Sequence, residues 1–302
     1  MIQTANAPVS YGVFDLARPD LVPLPSGQRL LELVSEAGYD GIDLGPHGYF
    51  GTGQALVENL AANGLTLCGG WIDLPFTGAD AAFDAAYAAM LPVLDDFARA
   101  ATQQVGTSPK PTIADSGAPE RTAHPGGSVD LELDSEAWAV FVARLGRVQH
   151  EVQVRGLEPT FHHHASTYIE TPREIERFLA DTSMDLTLDS GHLLIGGGDP
   201  LTGLREWRSR INHIHLKDVN IGLLAHAAGS ANPVRDLWEK RLFVPLGDGD
   251  LDIAAFLGEL IDSGYDQWLV VEQDVVLLNA PDVQRAIDDQ VANRVALQEW
   301  LA

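Results

Sequence analysis

The chain has 302 residues, of which 45% are hydrophobic, and its 43 acidic and 19 basic side chains leave a net charge of -24. This composition is typical of a globular protein with a large core and excludes a disordered chain. The acidity disfavours binding to nucleic acid or anionic membranes, because no local basic patch offsets it. No apolar run approaches the ~20 residues of a membrane span.

The first residues and the cysteine content indicate the compartment. The segment 1–4 lacks the basic-then-apolar pattern of a secretion signal. Cys68 is the single cysteine, which excludes an internal disulfide. We therefore expect a cytoplasmic protein.

Short apolar runs alternate with longer amphipathic segments along the chain. The apolar runs predict strands at 2–13, 41–44, 65–71, 110–114, 157–164, 185–189, 213–217 and 268–272. The amphipathic segments predict helices at 26–37, 54–63, 79–101, 135–155, 172–180, 201–210, 251–263 and 281–300.

Eight strands alternating with helices predict a (β/α)8 TIM barrel, with residues 1–302 forming one domain. An open doubly wound sheet is the alternative, but no Gly-x-Gly-x-x-Gly follows the first strand, and the glycines at 196–198 form a later loop. Irregular stretches at 116–128 and 219–246 follow the fourth and seventh strands. Loops at that end of a barrel shape or cover the active site.

Each of the last four predicted strands ends near a residue that can ligate a metal ion. These residues are His162, Asp189, His215 and Glu272. We expect them to meet, because strand carboxyl ends build the active site of a barrel. Two imidazoles and two carboxylates suit Mn²⁺ or Co²⁺, with Zn²⁺ or Fe²⁺ as alternatives, better than Mg²⁺. A helix-capping Asp or a core His explains each residue alone, but four together favour a metal centre.

His162 belongs to a run of three histidines, which ends with His163 and His164. Side chains alternate along a strand, so His162 and His164 share a face that His163 does not. His164 is therefore a candidate catalytic group or a substitute ligand for His162. A surface histidine run is the alternative interpretation.

Further candidate catalytic groups lie beside the predicted ligands. Lys217 is two residues beyond His215 and shares its strand face, so it is a candidate cation or proton carrier. A salt bridge from Lys217 to Asp218 or Glu272 is the alternative. His192 is a candidate acid or base, and Glu272 is a candidate base as well as a ligand.

Aromatic and polar residues near the ends of the early strands predict the wall of a polyol or keto-sugar pocket, in which rings contact C–H groups and polar groups bind hydroxyls. They are Tyr11, Asp43, His47, Trp71 and Asp73. Core packing is the alternative for the two aromatic residues.

Three strand-end motifs carry a family resemblance: Leu-Asp-Ser-Gly-His at 188–192, His-Ile-His-Leu-Lys-Asp at 213–218 and Val-Val-Glu-Gln-Asp at 270–274. Over nearly its whole length the chain resembles the xylose isomerase-like TIM barrels, a group of sugar isomerases, epimerases and dehydratases related to endonuclease IV. The resemblance implies a metal held by Glu, Asp, His and Glu from strands five to eight. Asp189, His215 and Glu272 match three of these ligands, and His162 stands where the family has its strand-five Glu.

The histidine in place of the strand-five Glu affects the expected reaction. The family's isomerases and epimerases use the Glu residues of strands five and eight as acid and base. The histidine run, with the segments 6–13, 41–49 and 244–250, instead resembles the inosose dehydratases, which remove water from 2-keto-myo-inositol. The resemblance implies a metal-dependent lyase on a keto-cyclitol, and such barrels often form homo-oligomers.

Several alternatives to the dehydratase remain. One is a sugar or keto-sugar isomerase or epimerase on the same metal, and another is a lyase on a 3-keto glycoside. A non-catalytic binding protein would leave the ligand set unexplained. An endonuclease IV-type DNA-repair enzyme would need a basic groove that a chain with a net charge of -24 does not supply.

Overall fold

The computed structural model describes residues 2–227 and 229–301. Its strands are β1 (Gln3–Asn6), β2 (Gly41–Ile42), β3 (Thr66–Leu67), β4 (Gly69–Leu74), β5 (Lys110–Asp115), β6 (Thr160–His162), β7 (Asp185–Asp189), β8 (Ile211–Leu216), β9 (Asp218–Val219), β10 (Phe243–Val244) and β11 (Trp268–Val271). Its α-helices are α1 (Gly27–Ala37), α2 (Gln54–Ala62), α3 (Asp80–Gln103), α4 (Pro119–Thr122), α5 (Ser135–Gln153), α6 (Pro172–Asp181), α7 (Ser190–Ile195), α8 (Pro200–Trp207), α9 (Pro233–Glu239), α10 (Ile253–Asp262) and α11 (Ala280–Trp300).

The main sheet is parallel and closes into a barrel. Its strands are hydrogen-bonded in the order β3-β2-β1-β11-β8-β7-β6-β5-β4. The first and last strands of this order, β3 and β4, are separated in the chain only by Cys68. The Cys68 N–H donates to the carbonyl of Ile42, and the Cys68 carbonyl accepts from the N–H of Lys110, so this residue joins both sides. The predicted TIM barrel is confirmed.

Local sequence signals explain where several helices begin and end. Thr171 caps α6 in a capping box, in which its hydroxyl accepts from the Glu174 N–H and the Glu174 carboxylate accepts from the Thr171 N–H. Asp134 caps α5 by accepting two backbone N–H groups. Helix α1 ends at Gly38 with φ of 88°, a left-handed conformation that glycine adopts without strain.

The first predicted strand, 2–13, was too long. It ends at Asn6, and Pro8–Tyr11 forms a 3-10 helix. The physical reason is Pro8, which has no N–H to donate to a neighbouring strand and whose ring fixes φ. The predicted strand at 65–71 also differs, because it is interrupted at Cys68 and continues to Leu74.

The two stretches predicted to be irregular contain short elements. Helix α4 lies in the first stretch, whereas the antiparallel pair β9–β10 and helix α9 lie in the second. Helix α7, directly after β7, was also missed. Each of these elements is too short to show a hydrophobic period, and β9 and β10 pair across more than 20 residues.

The later loops cover the carboxyl ends of strands β6 to β8. Residues of the segment 219–246, including Val219, Leu237, Trp238 and Phe243, form an apolar cluster with Ala165 and Ile195. The rings of Trp238 and Phe243 lie 6.4 and 5.4 Å from the ring of His192. Burying a side chain of this size contributes about 1.5–3 kcal/mol, so the cover is a stable part of the fold.

Across residues 2–227 and 229–301, no helix is both long enough and apolar enough to cross a membrane.

Candidate active site

The four predicted metal ligands meet at the carboxyl end of the barrel. Strand register explains why, since Asp189 pairs with His215 across β7 and β8, while Glu272 directly follows β11. His162 Nε2 lies 3.1 Å from His215 Nδ1 and 3.3 Å from Asp189 Oδ2, and His215 Nδ1 lies 2.9 Å from Glu272 Oε2. All four side chains are buried.

These separations fit a shared ion. Ligand atoms about 2.0–2.2 Å from one metal ion lie roughly 3–3.5 Å from one another. The four ligand atoms are within 4.8 Å of one another. Asp189 Oδ2 is buried and has no well-formed hydrogen bond, and its nitrogen neighbours on His162 and Lys217 lie 3.3 and 3.4 Å away. A cation between the ligands would give this oxygen a closer partner.

The charges within this ligand cluster are strongly coupled. Burial would raise the pKa of Asp189, but Lys217 and the neighbouring imidazoles hold that pKa well below its usual range. Burial lowers the pKa of His215, yet the Glu272 and Asp189 carboxylates outweigh it and raise the pKa to about 10. The cluster therefore favours positive charge at its centre, as a metal site requires.

Lys217 connects the ligand cluster to a second polar group. Its Nζ lies 3.0 Å from Glu272 Oε2 and 3.4 Å from Asp189 Oδ2. On its other side, Nζ lies 2.8 Å from Asp274 Oδ1 and 3.1 Å from His192 Nε2. Burial would lower the pKa of Lys217, but the three carboxylates raise it well above its usual value, so the side chain is a permanent cation here.

The predicted alternative of a Lys217–Asp218 salt bridge is wrong. The Asp218 carboxylate instead accepts hydrogen bonds from the backbone N–H groups of Val219, Gly247, Gly249 and Leu251. Neighbouring residues on a strand face opposite sides, which separates the two side chains. The other alternative, a contact between Lys217 and Glu272, is present.

His164 and His192 lie against each other beside Lys217, with ring centroids 3.6 Å apart. His164 Nδ1 donates to the carbonyl of Ala165, which leaves Nε2 with a free lone pair. Burial and nearby positive charge lower the pKa of His164 and of His192 well below the usual value. Both imidazoles are therefore neutral at pH 7. The nitrogens of His192 already contact the Ala165 N–H and Lys217 Nζ, so His164 Nε2 is the free proton-accepting position of the two.

His163 faces away from this group, as the alternation of side chains predicts. Its Nε2 accepts the backbone N–H of Asp189 at 3.1 Å. Burial lowers the pKa of His163 to about 3, so the ring stays neutral and keeps this acceptor. His163 therefore supports the backbone beneath the ligand Asp189.

Two of the five residues predicted to line the pocket lie at the open mouth of the barrel. Trp71 and Asp73 are the exposed positions of β4, and 40% of the Trp71 surface is accessible. The Trp71 ring contacts the rings of His162 and His164, with centroids 5.3 and 4.9 Å apart. Asp73 accepts hydrogen bonds from Trp71 Nε1 and from Ser116 Oγ.

The other three lie elsewhere. Tyr11 is buried in the hydrophobic core, and the exposed His47 contacts the Asp96 carboxylate of α3 at 3.0 Å. Asp43 is only 5% exposed and accepts a hydrogen bond from the Cys68 thiol. The structure thus does not bring these three side chains to the open mouth with Trp71 and Asp73.

Sequence reasoning missed Asp274 and His213. Asp274 lies two residues beyond Glu272, the same spacing that separates Lys217 from His215, and that spacing was the available signal. His213 precedes His215 by two residues on the same face of β8 and is fully buried. Its burial could not be deduced from local sequence.

A closed parallel barrel with a buried cluster of imidazoles, carboxylates and one lysine at the strand carboxyl ends is the architecture of an enzyme. Residues 31–290 match the family model described as "Xylose isomerase-like TIM barrel". The chain belongs to this family.

The chain is also similar to individual proteins. The chain is 31% identical over 279 residues to the "Rhizopine catabolism protein MocC" of Rhizobium meliloti, which covers 90% of this chain and 82% of that protein. It is 26% identical over 275 residues to an inosose dehydratase of Bacillus velezensis, covering 86% and 87%. A crystal structure of the "probable 3-DHS dehydratase AsbF" of Bacillus anthracis superposes with a TM-score of 0.66 at 16% identity, covering 98% and 99% of the two chains, and supports the fold alone.

Proposed function

We propose that the protein is a divalent-metal-dependent lyase that removes water from a keto-cyclitol such as 2-keto-myo-inositol. The observation that carries this proposal is the group formed by Lys217, His164 and His192 beside a ligand cluster in which His162 takes the place of a second glutamate. That arrangement supplies an imidazole for proton transfer and an ammonium group for charge stabilisation in place of a pair of glutamates. The similarity to an inosose dehydratase supports the same substrate class.

Elimination beside a ketone has defined requirements. The α C–H bond breaks, its electron pair forms a C=C bond, and the β C–O bond breaks as hydroxide leaves and gains a proton to become water. A base must take the α-proton, and a cationic or acidic group must assist the hydroxyl. A divalent ion held by His162, Asp189, His215 and Glu272 would supply Lewis-acid stabilisation of the carbonyl oxygen, and the ligand set favours Mn²⁺ or Co²⁺.

The geometry supports a division of these roles. We assign the base to His164, because its Nε2 lone pair is free and its ring is only partly buried, at the mouth side of the cluster. Glu272 is a weaker candidate, since one of its oxygens already contacts both His215 and Lys217. Lys217 keeps its proton and stabilises developing negative charge, while His192 orients the ammonium group. The proton that His164 takes from the α-carbon passes to the leaving hydroxide, which departs as water.

The mouth of the barrel suits a polyol ring. The exposed face of Trp71 offers an apolar surface for ring C–H groups, and the Asp73 carboxylate offers an acceptor for hydroxyl groups. The Trp71 ring contacts the His164 ring, and Asp73 accepts a hydrogen bond from Trp71. A polyol ring bound against these two residues would therefore lie over the proposed base.

Mass spectrometry of products formed in D₂O tests the proposal. The protein is loaded with Mn²⁺ or Co²⁺ and given 2-keto-myo-inositol and a panel of ketoses. We expect loss of one water from the keto-inositol, and His164→Asn should abolish that loss while metal binding persists. Deuterium uptake without loss of water would overturn the dehydratase in favour of an isomerase or epimerase. Turnover that survives complete removal of metal by a chelator would overturn the metal dependence.

A further inference from the structure

A second buried group lies next to the ligand cluster and shares His215 with it. It consists of Asp43, His213 and His215, which offer a carboxylate oxygen and ring nitrogens within 4.8 Å of one another. Asp43 is 5% exposed and His213 is fully buried. The proposed reaction uses neither side chain.

The two ring nitrogens of His215 have different surroundings. Its Nδ1 faces the ligand cluster, 2.9 Å from Glu272 Oε2 and 3.1 Å from His162 Nε2. Its Nε2 is buried and has no hydrogen-bond partner. An imidazole that binds a metal through one nitrogen keeps its proton on the other, and that N–H is normally held by a carboxylate, a carbonyl or water.

We infer that Asp43 is a positioning residue: its buried carboxylate, within 4.8 Å of a His215 ring nitrogen, keeps the His215 proton on Nε2 by its negative charge and thereby leaves Nδ1 for the metal ion. The inference rests on the metal centre proposed above. It differs from the expectation that Asp43 binds substrate, because Asp43 lies buried beside Cys68 while Trp71 and Asp73 occupy the open mouth.

The surroundings of Asp43 are built to hold its carboxylate in place. The Cys68 thiol donates to Asp43 Oδ1 at 3.0 Å. A Cβ atom at Gly69 would lie 2.7 Å from Asp43 Oδ1 and 3.1 Å from His213 Nε2. Glycine at position 69 therefore leaves the room that the carboxylate and the imidazole need.

The test measures Co²⁺ affinity by calorimetric titration of the whole metal-free chain, with urea unfolding of the same metal-free samples. Asp43→Asn should weaken Co²⁺ binding about 10- to 100-fold, the usual effect of losing a partner of a ligating histidine. Gly69→Ala should weaken it in the same direction, because its methyl group displaces the carboxylate without touching the ion. Cys68→Ser keeps a donor to Asp43 and serves as the matched control, with affinity close to that of the natural chain.

Three results would overturn the inference. Unchanged Co²⁺ affinity in Asp43→Asn, with a raised KM at saturating metal, would make Asp43 a substrate ligand. Two Co²⁺ ions per natural chain, one of them lost in Asp43→Asn, would make the trio a metal site of its own. Absence of Co²⁺ binding by the natural chain would overturn both the inference and the metal centre, whereas the first two results leave that centre intact.

Discussion

Lys217 shows how strongly the site depends on side chains brought from different strands. Its ammonium lies within 3.4 Å of oxygens from Asp189, Glu272 and Asp274, on strands β7 and the segment after β11. A buried cation surrounded in this way keeps its proton at neutral pH, which excludes Lys217 as the general base. We therefore propose the neutral His164 imidazole beside it as the proton acceptor.

Among the proposed metal ligands, Asp189 is the one whose loss should be most damaging. Asp189→Asn removes a negative charge from the ligand cluster, so we expect Mn²⁺ or Co²⁺ affinity to fall by more than about 100-fold and turnover to disappear. Metal content and affinity measured by calorimetry check this expectation.

Asp185→Asn is the matched control for Asp189. It lies on the same strand, β7, at the opposite end, where its carboxylate contacts Arg210. Metal affinity should be unchanged in this variant. Full metal binding and activity in Asp189→Asn would contradict the metal-centred interpretation.

At the scale of elements, one buried ionic group joins the loop after β5 to the start of α6. Arg121 contacts both Glu174 oxygens at 2.8 and 2.9 Å and Glu170 Oε2 at 3.1 Å. Glu170 Oε1 also accepts the backbone N–H of Gly126. Because two carboxylates share the Arg121 guanidinium, it offsets only part of the free-energy cost of burying the Glu170 charge.

This group predicts a pH dependence of stability. Burial raises the pKa of Glu170 to about 7, against the opposing effects of the Gly126 N–H and Arg121. Between its ordinary pKa and about 7, Glu170 binds a proton in the folded chain and none in the unfolded chain. The free energy of unfolding is therefore highest below this window, where Glu170 is protonated in both states. It falls by on the order of 3 kcal/mol as the pH rises through the window.

Glu170→Gln tests this dependence because the amide does not titrate. Relative to the natural chain, the variant should gain unfolding free energy between pH 5 and about 8, as measured by urea unfolding at several pH values. The exposed Glu176→Gln, on the helix α6 that follows Glu170, is the control and should show a constant difference. A difference that stays constant with pH in Glu170→Gln as well would contradict the prediction.

At the scale of the whole molecule, the net charge of -24 opposes the compact state. Raising NaCl from about 10 to about 150 mM shortens the Debye length from about 30 to about 8 Å and screens this repulsion. We expect the Tm of the metal-free protein to rise by several degrees, measured by calorimetry. Near the pI of 4.5 the same salt change should have little effect. A Tm that falls with NaCl at pH 7 would show that ion pairs outweigh the net repulsion.

Local sequence patterns were sufficient to predict the barrel, because alternating apolar runs and amphipathic segments favour strands and helices in turn. The same patterns predicted that His162, Asp189, His215 and Glu272 lie together, since each is near the carboxyl end of a strand and parallel strands bring such ends together. The two-residue spacing from His215 similarly predicted that Lys217 lies beside them.

The partner of each of these groups depends on contacts that the folded chain creates. Asp218 accepts a backbone N–H from Gly249, and Lys217 contacts Asp274, so both contacts join segments far apart in the chain. Distant segments also bury Asp43. The closure at Cys68 and the short pair β9–β10 likewise depend on distant partners. Local periodicity carries no information about such contacts, because they arise from how closed strands and covering loops bring particular atoms within bonding distance.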